Sequence, residues 1–211
     1  MRRAGIILCG GHSTRMGLAK ESLPFGPETM LQRVVRILRP IVDQIVVVAA
    51  AGQSISDLPE QVEVVHDRQA DRGPLEGIAT GLAAINGKAD AAYATSCDVP
   101  LLVPAFVERM FELLGDAEIA VPREGKFHHP LAAVYRVSVL AVIEHLLEQG
   151  RLRPVFLYEE VATNRIAPHQ WQDVDAQSKT LANLNRPKDY LDALEEAGFS
   201  APAEILGKLA N

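Results

Sequence analysis

The sequence predicts a three-layer α/β fold in which a mainly parallel central sheet is covered by helices on both faces. Four short apolar runs, rich in branched aliphatic residues and mostly without alternation, are typical of strands buried on both faces: residues 4–9, 44–49, 62–67 and 91–96. Helical patterns separate these runs. Because the order strand, helix, strand favours right-handed crossovers, the strands are expected to run parallel.

Three amphipathic segments are predicted to form the helices between those strands. Residues 29–41 repeat apolar side chains every three or four positions and end near Pro40. Residues 73–85 show the same spacing, with Pro74 near the first helical position, where proline is favoured. A third helix is expected to begin near Pro104. Each helix would cover one face of the sheet with its apolar stripe.

The last third of the chain is less regular but continues the α/β pattern. We expect a strand over 129–136, a helix over 137–150 that Gly150 ends, a short helical or turn segment over 151–160, a strand near 163–169 and a helix in the second half of 183–198. There is no internal repeat, low-complexity tract or linker. The whole chain, 1–211, is therefore predicted to be one domain.

Composition narrows the class of protein. The chain has 211 residues, of which 48% are hydrophobic, enough for a large core, and a formal net charge of −6 argues against nucleic acid as a partner. No segment approaches the ~20 apolar residues of a membrane span. Cys9 and Cys97 lie in or beside predicted buried strands, so we expect two free core thiols and a cytoplasmic location rather than a disulfide.

A glycine-rich turn follows the first predicted strand, in the stretch "ILCGGHSTRMGLAK" at residues 7–20. Gly10 and Gly11 lie where ligands bind in open parallel sheets, and glycine lets backbone N–H groups point at phosphate oxygens. The spacing fits neither a P-loop nor a dinucleotide fingerprint. A tight turn without a ligand remains the alternative.

Basic side chains favour the ligand interpretation of this turn. Arg15 and Lys20 precede the first acidic residue near the loop, Glu21, and are spaced to reach back toward the glycines. A guanidinium can fork onto two phosphate oxygens, whereas an ammonium acts as a compact point charge. An acidic protein could therefore still hold a polyanion locally.

Two aspartates end predicted strands and should reach the same sheet edge as the glycine turn. Asp67 ends "VEVVHD" and Asp98 ends "YATSCD". Asp98 is well placed to hold Mg²⁺, which takes carboxylate, phosphate and water oxygens. A helix cap or a turn is the alternative role for either aspartate.

Two further motifs are candidates for ligand contacts. In "GPLEG", Gly73, Pro74 and Leu75 begin a predicted helix whose N–H groups could hold an anion or a base edge, with Gly73 and Gly77 keeping the backbone accessible. Asn183 and Asn185 alternate along an extended stretch, which would aim both side chains to one side to position a metal or a phosphate. Turn formation is the alternative for the asparagines.

Taken in order, "ILCGGHSTRMGLAK", "GPLEGI", "SCDVP", "HHPLAAVYR" and "NLNRPKDY" resemble the motif series of the molybdenum cofactor guanylyltransferases, the MobA family. The similarity runs over about residues 4–195. A glycine-rich loop alone is shared with sugar-nucleotide pyrophosphorylases, but the ordered set is specific. "GPLEG" resembles the GTP-using branch, with Glu76 in place of a small residue.

The resemblance implies a Rossmann-like nucleotidyltransferase fold. It implies transfer of GMP from GTP to the terminal phosphate of molybdopterin, with release of pyrophosphate, to give the guanine dinucleotide form of the molybdenum cofactor. GTP and molybdopterin would be the substrates and Mg²⁺ the cofactor. Transient contacts with molybdenum enzymes or with upstream cofactor proteins are also expected.

The matching positions and the motifs above together give the predicted site. The predicted nucleotide-binding residues are Leu8, Cys9, Gly10, Gly11, Lys20, Asp67, Gly73, Pro74, Leu75 and Asp98. Arg15, Lys20 and Asp98 are the predicted catalytic residues, and Asp98 is also the predicted metal ligand. Departures from the family pattern are Cys9 for alanine, Ala19 for aspartate and Ala49 for an asparagine that contacts the nucleotide.

Three other functions remain open from the sequence. A nucleotidyltransferase of this type could use CTP, or could act on a sugar phosphate. A non-catalytic carrier could bind the nucleotide or the cofactor and deliver it to a partner. Among these possibilities "GPLEG" favours GTP, and the pairing of Asp98 with Lys20 favours catalysis over storage.

Overall fold

The computed structural model describes residues 1–9, 19–69 and 72–209. Three predicted site residues, Gly10, Gly11 and Arg15, lie outside these ranges. The strands are β1 (Arg3–Leu8), β2 (Pro24–Phe25), β3 (Glu28–Thr29), β4 (Gln44–Ala49), β5 (Val62–His66), β6 (Ala91–Ser96), β7 (Ile119–Glu124), β8 (Phe127–His128), β9 (Ala133–Arg136) and β10 (Thr163–Ile166). The α-helices are α1 (Met30–Leu38), α2 (Pro74–Ile85), α3 (Pro104–Leu114), α4 (Leu140–Glu148), α5 (Pro154–Glu160), α6 (Pro187–Glu196) and α7 (Ala203–Leu209).

The main sheet has the strand order β10-β7-β9-β6-β1-β4-β5, with β8 paired to β7 outside that path. β1 runs parallel to β4 and to β6, β4 parallel to β5, and β7 parallel to β10. Among the described strands of this path, only β9 is antiparallel, to both β6 and β7. The predicted mainly parallel sheet is confirmed, and the carboxyl ends of β1, β4, β5, β6, β7 and β10 share one edge.

Helices pack on both faces of this sheet, which confirms the three layers. One apolar cluster joins the sheet to α2, α4 and α5, and the other joins it to α1 and α3. A capping box fixes the start of α1. The Thr29 side chain accepts a hydrogen bond from the Gln32 backbone N–H, and the Gln32 side chain accepts one from the Thr29 backbone N–H.

The structure corrects several sequence predictions. β5 is an edge strand rather than a strand buried on both faces, and Val64 is 36% exposed. The predicted strand over 129–136 is shorter, because a 3₁₀ turn at Pro130–Ala132 precedes β9. The predicted helix over 137–150 begins as a 3₁₀ turn and is α-helical only over α4. β7, the β2–β3 hairpin and α7 were not predicted.

Gly77 and Gly81 have a packing role rather than a ligand-access role. A Cβ at Gly81 would lie 2.5 Å from Ile6 Cγ2, and one at Gly77 would lie 2.7 Å from Leu8 Cδ2. These two glycines, one helical turn apart on α2, let the helix lie directly against β1. The expectation that Gly77 keeps backbone accessible to a ligand is therefore wrong.

A third apolar cluster joins the β2–β3 hairpin to α6 and α7, and its members include Phe25, Tyr190 and Ile205. It brings residues near position 20 against residues near position 190. Across the described ranges, no helix is both long and apolar enough to span a bilayer.

Candidate functional site

Lys20, Asp98 and Asn185 meet at the carboxyl edge of the sheet. The Lys20 ammonium donates to Asp98 Oδ2 at 2.8 Å and to Asn185 Oδ1 at 2.9 Å. Ser96 Oγ donates to Asp98 Oδ1, so both carboxylate oxygens of Asp98 accept a hydrogen bond. Asp98 is only 8% exposed, and charge-assisted hydrogen bonds of this kind are stronger than neutral ones.

Three separate chain segments hold this group in place. Asp98 follows the last residue of β6 by two positions, and Lys20 begins a 3₁₀ turn, Lys20–Ser22, directly before the hairpin. Leu184 is buried, and its N–H donates to the Asp98 carbonyl at 3.0 Å, which fixes the extended stretch that carries Asn185. The site is therefore assembled by tertiary contacts and not by one local motif.

Asp67 lies at the same edge, beyond two intervening strands. Its N–H donates to the Ala49 carbonyl at 2.9 Å, which continues the β4–β5 pairing by one residue. Its Oδ1 atom is buried and, among the described residues, has no hydrogen-bond partner. Burial, and after it the negative charge of Glu76, raise the pKa of the Asp67 carboxyl above its ordinary value. Asp67 thus offers an acceptor atom that needs a donor.

The start of α2 lies beside Asp67. Gly73 precedes the helix with φ at 73°, a conformation that glycine adopts without strain, and Pro74 is the first helical residue. The Leu75 side chain is fully buried, so only its backbone could contact a ligand. The first-turn N–H groups of α2 lack partners within the helix and can bind acceptors such as a base carbonyl.

Leu8 is the last residue of β1 and Cys9 follows it. Both lie on the sheet between Asp67 and Asp98, because β1 is between β5 and β6 in the strand order. Both side chains are buried, and the Cys9 N–H donates to the Val48 carbonyl at 2.8 Å. Cys9 and Cys97 are free thiols, as predicted. A hydrogen bond with Cys97, together with burial, raises the pKa of the Cys9 thiol well above its ordinary value, so this thiol is a core group and not a nucleophile.

Asp98 suits a hard divalent cation as one ligand among several. Within residues 1–9, 19–69 and 72–209, no three His, Cys, Asp or Glu side chains are grouped so that they could hold a metal ion by themselves. A carboxylate oxygen has a second lone pair after accepting one hydrogen bond. Asp98 could therefore bind a metal whose other ligands are phosphate oxygens and water, the set that Mg²⁺ commonly takes.

The structure joins some predicted site residues and separates others. Lys20, Asp98 and Asn185 are in direct contact. Asn183 is exposed and shows no hydrogen bond to the described part of the chain, so it does not join the contact of Lys20 with Asn185. Ser96 was missed, although its position two residues before Asp98, at the end of a predicted strand, was the available signal.

Solved structures share this fold. Molybdopterin-guanine dinucleotide biosynthesis protein A from Archaeoglobus fulgidus superposes with a TM-score of 0.77 at 21% identity, over 93% of this chain and 98% of that one. The structure of Rv0371c from Mycobacterium tuberculosis H37Rv, a complex with manganese, superposes with a TM-score of 0.60 at 18% identity, over 92% and 99%. The nucleotidyltransferase fold expected from the sequence is thereby confirmed.

Sequence relatives cover most of the chain. A probable molybdenum cofactor guanylyltransferase from Mycobacterium avium is 35% identical over 203 residues, which are 93% of this chain and 97% of that protein. Residues 5–163 match the family described as the MobA-like NTP transferase domain. This match and the full-length similarity agree with the site geometry, and the chain belongs to the family of MobA-like NTP transferases.

Proposed function

We propose that this protein transfers GMP from GTP to the terminal phosphate of molybdopterin and releases pyrophosphate. The observation that carries the proposal is the contact between Lys20 and Asp98 at 2.8 Å, at the sheet edge that also holds Asp67 and the start of α2. A cation and a metal-binding carboxylate side by side are what a phosphoryl-transfer site requires. The names of full-length relatives support GTP and molybdopterin as the substrates.

We assign the base of GTP to the β5 side of the edge and its phosphates to the β6 side. Three strand spacings separate β5 from β6, about 14 Å, so a ligand that contacts both Asp67 and Asp98 must be elongated. The buried Asp67 Oδ1 would accept from a base N–H or a ribose hydroxyl. The glycine turn at Gly10 and Gly11 would contact the phosphates between them.

The protein side chains then act by neutralising charge and fixing geometry. The acceptor phosphate oxygen forms a bond to the α-phosphorus, and the bond from that phosphorus to the bridging oxygen breaks with its electron pair leaving on pyrophosphate. Lys20 would leave Asp98 and donate to the phosphates, while Asn185 and Ser96 keep the ammonium and the carboxylate aligned. The attacking phosphate is already ionised near neutral pH, so no protein base is needed.

Asp98 would hold a divalent cation, and we propose Mg²⁺ in that position. The chemistry that Mg²⁺ would supply when held by Asp98 is neutralisation of the charge that develops on the phosphates. Phosphates can reach the carboxylate from the side of Lys20 and Asn185, because Asn185 is exposed and Ser96 occupies the other carboxylate oxygen. A local excess of positive charge would thus offset the net charge of −6.

Molybdopterin, the acceptor, would approach over β9, β7 and β10, because the nucleotide is assigned to the edge formed by β1, β4 and β5. Basic side chains lie at this end of the edge. Arg123 pairs in register with His128, and burial followed by the charges of Arg165 and Arg123 lowers the pKa of His128. The buried His128 Nε2 has no hydrogen-bond partner among the described residues. This basic end suits an anionic acceptor.

The direct test is a pyrophosphate-release assay with purified protein, GTP, Mg²⁺ and molybdopterin. We expect the protein to release pyrophosphate only when GTP, Mg²⁺ and molybdopterin are all present, and to form the guanine dinucleotide at the same time. A non-catalytic carrier would bind the ligands without releasing pyrophosphate. A thermal-shift panel of GTP, CTP, ATP and UTP separates the bases, because a ligand raises stability by RT ln(1 + [L]/Kd).

Replacing Asp98 with asparagine tests the metal assignment. Asn keeps the size of the side chain and can still accept from Lys20, so the fold should persist. Turnover should fall by about 10²-fold or more, since a charge that acts in the transition state is lost. Near-normal turnover of Asp98→Asn at saturating Mg²⁺ would remove Asp98 as the metal ligand.

A further inference from the structure

Glu76 is a buried carboxylate in the first turn of α2 that the proposed reaction does not use. It is 3% exposed. Its Oε1 atom lies 3.6 Å from Arg68 Nε, and its Oε2 atom lies 3.4 Å from Arg72 Nη1. A carboxylate this buried is costly unless it is paired, so the two arginines account for its presence.

Both arginines that pair with Glu76 also donate hydrogen bonds to α4. Arg68 Nη1 donates to Glu144 Oε1 at 3.3 Å, and Arg72 Nη2 donates to the Leu147 carbonyl near the end of α4. A guanidinium at a helix carboxyl terminus also interacts favourably with the helix dipole. Glu76 therefore joins α2, the β5–α2 connection and α4 in one network, which we name the Glu76 clasp (Glu76, Arg68, Arg72, Glu144 and Leu147).

The connection held by this clasp carries both groups assigned to the nucleotide base. Asp67 precedes Arg68 directly, and Gly73 follows Arg72 directly. Gly73 has φ at 73°, and a Cβ at this position would meet no atom of the described residues within 4 Å, so packing by those residues does not fix its conformation. The neighbouring Arg72, with contacts on two helices, supplies that restraint.

We propose that Glu76 is a positioning residue for the nucleotide base: through Arg68 and Arg72 it holds the two described ends of the β5–α2 connection so that Asp67 and the start of α2 face the base together. This inference rests on the proposed function, because it needs a nucleotide at that edge. It also gives a role to the residue by which this chain departs from the small side chain that the family pattern has there.

The test measures GTP affinity in Glu76→Gln, which keeps the shape of the side chain and removes its charge. We expect GTP with Mg²⁺ to bind about tenfold more weakly, equivalent to ~1.4 kcal/mol, with the KM for molybdopterin and kcat little changed. Arg72→Gln should weaken GTP binding to a similar degree. The double variant should lose less affinity than the sum of the two single losses, because both residues take part in the contact between Arg72 and Glu76.

Glu63→Gln is the matched control. Glu63 Oε2 lies 2.9 Å from Lys88 Nζ and so links β5 to the turn after α2, the same two elements, at the opposite edge of the sheet. Removing this ion pair should leave GTP affinity unchanged. Comparing the melting temperatures of the variants separates lost stability from lost positioning.

A pH profile adds a readout that a loss of stability alone would not move. Among the described charged residues of this region, Glu76 raises the pKa of Asp67, and Arg68 and Arg72 pair with Glu76. Without the Glu76 charge, the pKa of Asp67 falls. The acidic limb of GTP binding, where Asp67 becomes protonated, should shift to lower pH in Glu76→Gln and stay in place in Glu63→Gln.

The outcomes for the two proposals differ. If the wild-type protein fails to bind GTP, the proposed function and this inference both fail. If the wild type binds GTP and Glu76→Gln binds it equally well with the same pH profile, the inference alone is overturned. Should Glu76→Gln fold poorly, Arg72→Gln gives the same decision, because Arg68 still pairs with Glu76 in that variant, 3.6 Å from Oε1.

Discussion

The Asp98 carboxylate is held from two sides before any substrate arrives. Ser96 donates to one oxygen, and Lys20 donates to the other at 2.8 Å. A mobile ammonium on a flexible stem can leave one anion for another more readily than a forked guanidinium can. The arrangement therefore keeps a buried charge paired in the free protein and leaves it available once phosphates draw Lys20 away.

Glu28 gives a residue-scale prediction of how stability depends on pH. A hydrogen bond from Arg36, at 2.7 Å, and then the charges of Arg36 and Arg33 lower the pKa of the Glu28 carboxyl. A carboxyl with a lower pKa in the folded state stabilises the fold above its unfolded pKa of about 4.3. That contribution disappears as the pH falls through the folded-state pKa.

Glu28→Gln should accordingly lower the free energy of unfolding near neutral pH. We expect a loss of about 1 kcal/mol, because Arg36 is largely exposed and surface pairs contribute little. The difference from wild type should shrink on the acid side of about pH 4. Urea midpoints measured across this range check it, and a difference that grows toward low pH would contradict the assigned ion pairs.

At the scale of elements, the contact between α2 and β1 depends on the absence of two side chains. A Cβ at Gly81 would lie 2.5 Å from Ile6 Cγ2, and Ile6 is fully buried. Gly81→Ala should therefore destabilise the protein by about 3 kcal/mol, the upper range for overpacking, because β1 cannot retreat within the sheet. Thermal or urea unfolding measures the loss.

Gly207→Ala supplies the control for that substitution. Gly207 lies in α7, and a Cβ added there would have no atom of the described residues within 4 Å. Alanine in an open helical position should be neutral or stabilising by about 0.5–1 kcal/mol. Equal losses in the two variants would mean that helix propensity, and not the contact with Ile6, decides the result at Gly81.

The sequence predicts those elements whose local pattern is strong. The apolar runs of β1, β4 and β6 and the stripes of α1, α2 and α3 identify them without tertiary information. The edge position of β5 could not be predicted, because strand order depends on contacts between distant segments. β7 was missed: its burial ends before Arg123 and Glu124, so its apolar part is short.

The same reasoning separates the predictable and unpredictable parts of the site. Asp67 and Asp98 could be placed at one sheet edge, because each closely follows a strand of a parallel sheet. The contact of Lys20 with Asn185 spans 165 positions of sequence, and no local pattern predicts it. From the sequence, Glu76 is only a departure from a motif, since a single sequence does not reveal that Arg68 and Arg72 pair with it.

At the scale of the whole molecule, the third apolar cluster links the two ends of the chain at the site. Phe25, in the hairpin after Lys20, packs edge-on against Phe199 with ring centroids 5.9 Å apart. The Arg33 guanidinium lies over both rings, at 4.8 and 5.8 Å from their centroids. Phe199 follows α6, which begins just after Asn185. The contact between Phe25 and Phe199 therefore joins the chain segment that carries Lys20 to the segment that carries Asn185.

Phe199→Ala should therefore weaken GTP binding as well as stability, although Phe199 is not itself one of the proposed ligand-binding residues. Loss of a partly buried aromatic ring costs about 2–3 kcal/mol, somewhat less than for a fully buried one. The hairpin and α6 would then be less firmly joined, and Lys20 would sample positions away from Asn185. GTP affinity measured by calorimetry, at a temperature where the variant is folded, should fall several-fold.

Phe156→Ala is the matched comparison, because Phe156 is also partly buried and also lies under a guanidinium, that of Arg151 at 4.7 Å. It packs against the cluster of α2, α4 and α5, far along the sheet from Lys20. A similar loss of stability with unchanged GTP affinity is expected there. If both variants lost affinity equally, general destabilisation would explain the effect. If neither variant lost GTP affinity, the contact between the hairpin and Phe199 would not be needed to position Lys20.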